Sequence, residues 1–125
     1  MTDDELAQFH ETFAKACRPI KGQVAVCTDF VGATVFAQSV TQRWIGIIKQ
    51  DAPIVERNAV LLGEGAVFSM QIERIIRQAG FKNRKTFLSS TDLVAWLGEI
   101  LTTRERTRLE NFLSEGVESR MRQKL

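Results

Sequence analysis

The chemistry open to this chain is sparse, and most of it gathers at two turns. Residues 59–70, Ala-Val-Leu-Leu-Gly-Glu-Gly-Ala-Val-Phe-Ser-Met, carry an apolar run into Gly63-Glu64-Gly65 and then into a helix-like pattern. A dinucleotide-binding turn needs Gly-x-Gly-x-x-Gly between a strand and a helix, so that backbone N–H groups can meet a pyrophosphate. The first two glycines are present. Phe68, however, stands where the third would allow close helix–strand packing, and Glu64 puts negative charge where the phosphate would lie. No Gly-Lys-Ser/Thr follows, which excludes a P-loop. The stretch reads as a tight strand-to-helix turn that uses glycine for backbone freedom. Gly63, Glu64 and Gly65 are the ligand-binding candidates it supplies.

The second turn follows residues 23–30, Gln-Val-Ala-Val-Cys-Thr-Asp-Phe. Asp29 stands at the strand end where open α/β sheets bind ligands, with Thr28, Thr34 and Ser39 close by in sequence. That group could hold a metal or accept a phosphoryl group; turn formation by Asp and Thr accounts for the same residues. Asp29 and Thr34 complete the ligand-binding candidates. The single histidine, His10, lies among acidic residues and reads as an exposed polar side chain rather than a base. No Ser/His/Asp or Cys/His set assembles around it, so no catalytic residue, metal set or cofactor is expected. The basic segment Lys82–Lys85 reads as a solvated turn, or as a grip for an acidic partner.

These turns need elements to hold them, and apolar spacing supplies the elements. Thr2 and Glu5 have capping-box spacing ahead of a helix with Leu6, Phe9, Phe13 and Cys17 on one stripe. A strand over 23–30 leads to a helix that carries Phe36, Val40, Trp44, Ile47 and Ile48 and is barred from continuing at Pro53. The segment 55–63 is a strand whose apolar centre predicts burial on both faces. A helix with Phe68, Ile72, Ile75 and Ile76 follows and stops at Gly80. A short strand within 84–90, Arg-Lys-Thr-Phe-Leu-Ser-Ser, precedes a helix that Ser89 or Ser90 can cap and that buries Leu93, Val94, Trp96, Leu97 and Leu101. Thr102 and Glu105 repeat the capping-box spacing before a last helix striped by Leu109, Phe112, Leu113, Val117 and Met121. Strands joined by helical crossovers imply a parallel sheet. The expected fold is therefore α/β: a small, mainly parallel three-stranded sheet with a βαβαβ core, flanking helices and an extra C-terminal helix.

Composition sets the outer bounds. The 125 residues are 44% hydrophobic and 26% charged with a net charge of +2, which suits one domain, with 103–125 as a helical extension. That charge is too weak to argue for nucleic acid. No apolar run approaches the roughly 18 residues of a membrane span. The acidic N-terminus lacks the apolar core of a secretory signal. Cys17 and Cys27 are isolated, so a reduced, cytoplasmic protein is expected. Acidic residues gather at the start of the chain and basic ones near its end, which suggests two solvated faces or a pairing of the two ends.

Residues 84–97, Arg-Lys-Thr-Phe-Leu-Ser-Ser-Thr-Asp-Leu-Val-Ala-Trp-Leu, join a basic strand to a polar cap and an Ala-Trp-Leu helix. This resembles the end of SpoIIAA-like proteins of the STAS superfamily. Val-Ala-Val-Cys-Thr-Asp-Phe (24–30) is similar to that family's central Asp-ending strand, and 40–50 and 55–75 to the elements after it. The resemblance spans roughly residues 1–100. It implies a non-enzymatic module for protein interaction or for binding an apolar ligand. Two features depart from the family: the chain opens on a helix where a β-hairpin is usual, and 28–40 lacks the Asp-Ser-Ser-Gly-like turn that carries a phosphorylatable serine. Thr34 and Ser39, close to that place, are the phosphorylation candidates.

The leading expectation is a non-catalytic, regulatory type of protein-interaction module. The alternative is a small-molecule, lipid or phosphate binder at the C-terminal edge of the sheet. A protein partner is expected, with homodimerisation through an exposed strand edge or apolar face to which the stripe Leu109, Phe112, Leu113, Val117 and Met121 contributes. The alternative is that this last helix folds back on its own domain and leaves a monomer.

Overall fold

The computed structural model describes residues 1–124, with side chains as far as Met121. Five helices surround three strands. Helix α1 (Asp3–Cys17) leads to β1 (Val24–Asp29), α2 (Gln38–Asp51), a 3-10 turn, β2 (Val55–Leu61), α3 (Ala66–Ala79) and β3 (Arg84–Phe87). Helix α4 (Ser90–Leu97), a second 3-10 turn and α5 (Thr103–Lys124) complete the order. The sheet is wholly parallel in the order β1-β2-β3, as helical crossovers require. Asp29 pairs with Leu61, and Asn58 with Arg84.

Local chemistry sets the helix ends. Thr2 Oγ1 accepts the Glu5 N–H at 3.1 Å, and Ser89 Oγ accepts the Asp92 N–H at 3.3 Å. At α5 the capping box closes in both directions: Glu105 N–H donates to Thr102 Oγ1 at 3.1 Å, and Thr102 N–H donates to Glu105 Oε1 at 2.8 Å. Gly80 ends α3 at φ +70°, a conformation that glycine adopts without a Cβ penalty.

Strand β2 divides the core. Val60 and Leu62 face α1, α2 and α3 in one apolar layer with Leu6, Trp44, Phe68 and Ile72. Ala59 and Leu61 face α4 and α5 in a second layer with Phe87, Leu93, Leu97 and Leu109. The predicted burial of β2 on both faces is therefore present.

Several apolar positions differ from the spacing argument. Phe9 lies on the predicted stripe of α1 yet is 41% exposed, and Leu6 is the one buried residue of that helix. On α2, Ile45 is buried while Ile47 is only partly covered. Trp96 is half-buried, with the Arg57 guanidinium over its ring at 4.8 Å. No described helix is long and apolar enough to cross a membrane.

Candidate functional site

The C-terminal edge of the sheet is closed by the chain itself. Asp29 Oδ1 accepts the Val31 N–H at 3.0 Å, and Asp29 Oδ2 accepts from Arg120 Nη1 at 2.8 Å. Arg120 comes from α5, which approaches because position 116 is glycine: a Cβ there would lie 2.9 Å from Asp29 Oδ2. Both oxygens of the Asp29 carboxylate are thus engaged within the chain. No group of three His, Cys, Asp or Glu side chains that could hold a metal occurs among the described residues.

Other candidates at this edge part company. Gly63 adjoins the turn after β1, with an added Cβ 3.6 Å from Val31 Cγ1. Gly65 is the N-cap of α3 at φ −70°, and among the described residues only Gly22, Gly32 and Gly80 have positive φ. The expected need for glycine freedom at Gly63 and Gly65 is therefore corrected: neither backbone requires it, and neither site is crowded. Glu64 is exposed in the same turn. Thr34 is exposed in the loop before α2, while Ser39 donates to Asp3 Oδ2 at 3.3 Å. Ser39 thereby belongs with α1 rather than with Asp29.

Helix α5 splits its apolar stripe. Leu109 and Leu113 are buried in the second core layer against Leu93 and Leu97, so this part of the stripe has its partner inside the chain, contrary to expectation. Phe112, Val117 and Met121 remain exposed. At 3.6 residues per turn Phe112 falls on one flank of the buried line, and Val117 and Met121 on the other. The acidic first helix does not wait for this basic end: Asp3 pairs with Arg43 of α2 at 3.5 Å. Arg122 and Lys124 lie beyond the described side chains.

The two outer strands differ as edges. β3 has four residues and opens with Arg84 and Lys85, so it is short and charged. β1 has six, Val-Ala-Val-Cys-Thr-Asp, with no Lys, Arg or Pro. The Phe30 N–H donates to Leu61 C=O at 2.9 Å, which fixes the phase of the ladder. Val26 and Thr28 turn their backbone groups to β2, and Ala25, Cys27 and Asp29 turn theirs outward. No backbone hydrogen bond from outside the sheet reaches those three among the described residues.

Sequence reasoning missed a polar group on the α1 side of the sheet. Asn58, in the middle of β2, is fully buried. Arg84, read both as part of a basic turn and as the start of the third strand, is the first residue of β3, and its Nε is buried rather than solvated. His10 is not a free surface residue either: its Nε2 lies 3.1 Å from Asp51 Oδ2, with the pair largely covered. An Asn within an apolar strand was the available signal, because buried amides demand partners.

Comparison with family models, with curated proteins and with solved structures returns no match to this chain.

Proposed function

We propose that the chain is a non-catalytic protein-interaction module that joins a second copy of itself along the outer edge of β1. The open edge of this strand, which has no Lys, Arg or Pro, carries the reading. Natural sheets blunt such edges with charge, proline or brevity, as β3 does here, because unpaired N–H and C=O groups template the addition of another strand. Six residues of antiparallel pairing add several hydrogen bonds at a net ~0.5–1.5 kcal/mol each. The Asp29–Arg120 pair supports a non-catalytic role, since the carboxylate best placed for chemistry is already engaged. The resemblance to SpoIIAA-like modules points the same way. The free thiols Cys17 and Cys27 suit a reduced compartment, and we place the protein in the cytoplasm on that ground.

Light scattering tests the assembly. At tens of micromolar the protein should run at twice the 14.1 kDa chain mass. An Ala25→Pro variant removes an outward N–H and sets a ring on the edge, while the ladder to β2 stays intact. It should be monomeric with an unchanged far-UV spectrum. A wild type that is monomeric, or a folded Ala25→Pro protein that remains dimeric, refutes the reading.

A further inference from the structure

Helix α5 runs in the same direction as the strand it covers. Near its start, Arg106 Nη2 donates to Gly98 C=O at 2.9 Å. The neighbouring Trp96 C=O accepts from Arg57 Nη1 at 2.7 Å, and Arg57 pairs with Ala25 near the beginning of β1. Further along, Gly116 and Arg120 meet Asp29, the last residue of β1. Gly116 is therefore level with Asp29. Phe112, one turn earlier, lies ~6 Å back along the helix, and a step of two strand residues covers ~6.6 Å. Phe112 is thus level with Cys27, the middle one of the residues whose backbone groups point outward from β1.

The two flanks of α5 have different surroundings. Glu110, Ser114 and Val117 line a groove against Thr91 and Val94 of α4. At ~100° per residue, Arg108, Phe112 and Glu115 fall on the opposite flank. Helix α4 covers β2 and β3, whereas Leu109 and Leu113 of α5 share a layer with Cys27 of β1 and Ala59 of β2. The flank of Phe112 therefore overhangs the outer side of β1. Phe112 is 45% exposed there. Arg108 and Glu115 are exposed and make no ion pair among the described residues.

We propose that the pairing of β1 with a second copy, on which this step rests, also joins the two α5 helices along a seam centred on Phe112. Antiparallel pairing about a two-fold axis normal to the sheet keeps both helices on one face and runs them in opposite directions. Paired strands lie ~4.8 Å apart, and each helix sits inward over the gap between β1 and β2. The helix axes are then ~9–10 Å apart, the separation of packed helices. With Cys27 opposite the partner's Cys27, Ala25 faces the partner's Asp29 and Phe112 meets the partner's Phe112. Arg108 lies one turn before Phe112 and Glu115 one turn after it, so each Arg108 comes beside the partner's Glu115. The surface is self-complementary, and the charge match occurs twice by symmetry. A register slip of two strand residues would shift the helices by ~6.6 Å and put both charge pairs out of step.

Sedimentation equilibrium at low salt tests the seam, with far-UV spectra to establish that each variant is folded. Phe112→Glu, Arg108→Glu and Glu115→Arg should each weaken dimerisation by about tenfold or more. Mixing the two charge variants, or placing both changes in one chain, should restore it to within about threefold of wild type, because each reversed charge then meets its opposite. Val117→Glu, on the α4 flank, should leave the dimer unchanged. A monomeric wild type removes the strand pairing and the seam together. A dimer that Ala25→Pro dissociates, but that Phe112→Glu or the charge reversals leave intact, keeps the strand pairing and overturns the seam alone. Equal weakening by Val117→Glu, or charge variants that stay weak when mixed, overturns it too.

Discussion

Replacing Gly116 by alanine should destabilise this protein, although the same change in most helices stabilises. Alanine is favoured over glycine in a helix interior by about 1 kcal/mol. At position 116 the new methyl would sit 2.9 Å from Asp29 Oδ2 and 3.4 Å from Arg120 Nη1. The carboxylate cannot swing aside freely, because Oδ1 holds the Val31 N–H while Oδ2 holds Arg120. Moving it forfeits one hydrogen bond to a charged group, worth about 1.5–3 kcal/mol at a site this well covered. The net expectation is a loss of ~0.5–2 kcal/mol. In an Asp29→Ala background the obstructing atom is gone, and Gly116→Ala should then gain ~1 kcal/mol. The coupling between the two positions is thus ~1.5–3 kcal/mol, well above the error of a double-mutant cycle. Gly46 in α2 is the control: a methyl added there would meet nothing within 4 Å, so Gly46→Ala should stabilise by ~1 kcal/mol in either background. Urea titrations with a shared m-value give all of these numbers. If Gly116→Ala stabilises equally with and without Asp29, the Asp29–Arg120 latch is not made.

Two further outcomes follow from the geometry. Gly65→Ala should change stability by less than ~0.5 kcal/mol, because φ is −70° and the nearest atom is Phe68 Cβ at 3.8 Å. Gly80→Ala, at φ +70°, should cost ~1 kcal/mol, and equal melting temperatures for the two would contradict the backbone geometry. The Cys27 thiol is pushed up to about 12 by burial and secondarily by the Asp29 carboxylate. At pH 8 its alkylation in the folded protein should be slower than in urea by ~10³, a ratio read by mass spectrometry. A raised thiol value means that the folded state holds its proton longer, so this contribution to stability is intact below pH 9 and falls away as pH climbs toward 12. Cys27→Ser should flatten that decline.

Elements with local causes were legible in the sequence. Ser89 capping α4, the Thr102–Glu105 box and the glycine stop at Gly80 depend on residues a few positions apart. The double burial of β2 followed from a run of apolar residues too long for a half-exposed strand. Contacts between distant residues were not legible. Arg120 and Asp29 are 91 positions apart, and nothing in either neighbourhood announces the other. Arg84 shows the same limit, because a basic segment looks solvated until the sheet turns one of its side chains inward. The stripe on α5 was visible, but its division into two buried residues and three exposed ones depends on where α4 lies.

The sharing of β2 between both layers has a consequence for synthesis. β1 leaves the ribosome with no strand to pair with until residues 55–61 follow, and the α4 side of the sheet stays thinly covered until Leu109 and Leu113 arrive. Ala59, Leu61 and Phe87 therefore wait under one eight-residue helix while the last helix is made. Such exposed apolar surface is where a half-made chain is captured by a chaperone or by a neighbouring copy. Helix α5 is accordingly a closing element for this sheet in time as well as in space: until Arg120 latches onto Asp29, the α4 side of the sheet remains sticky.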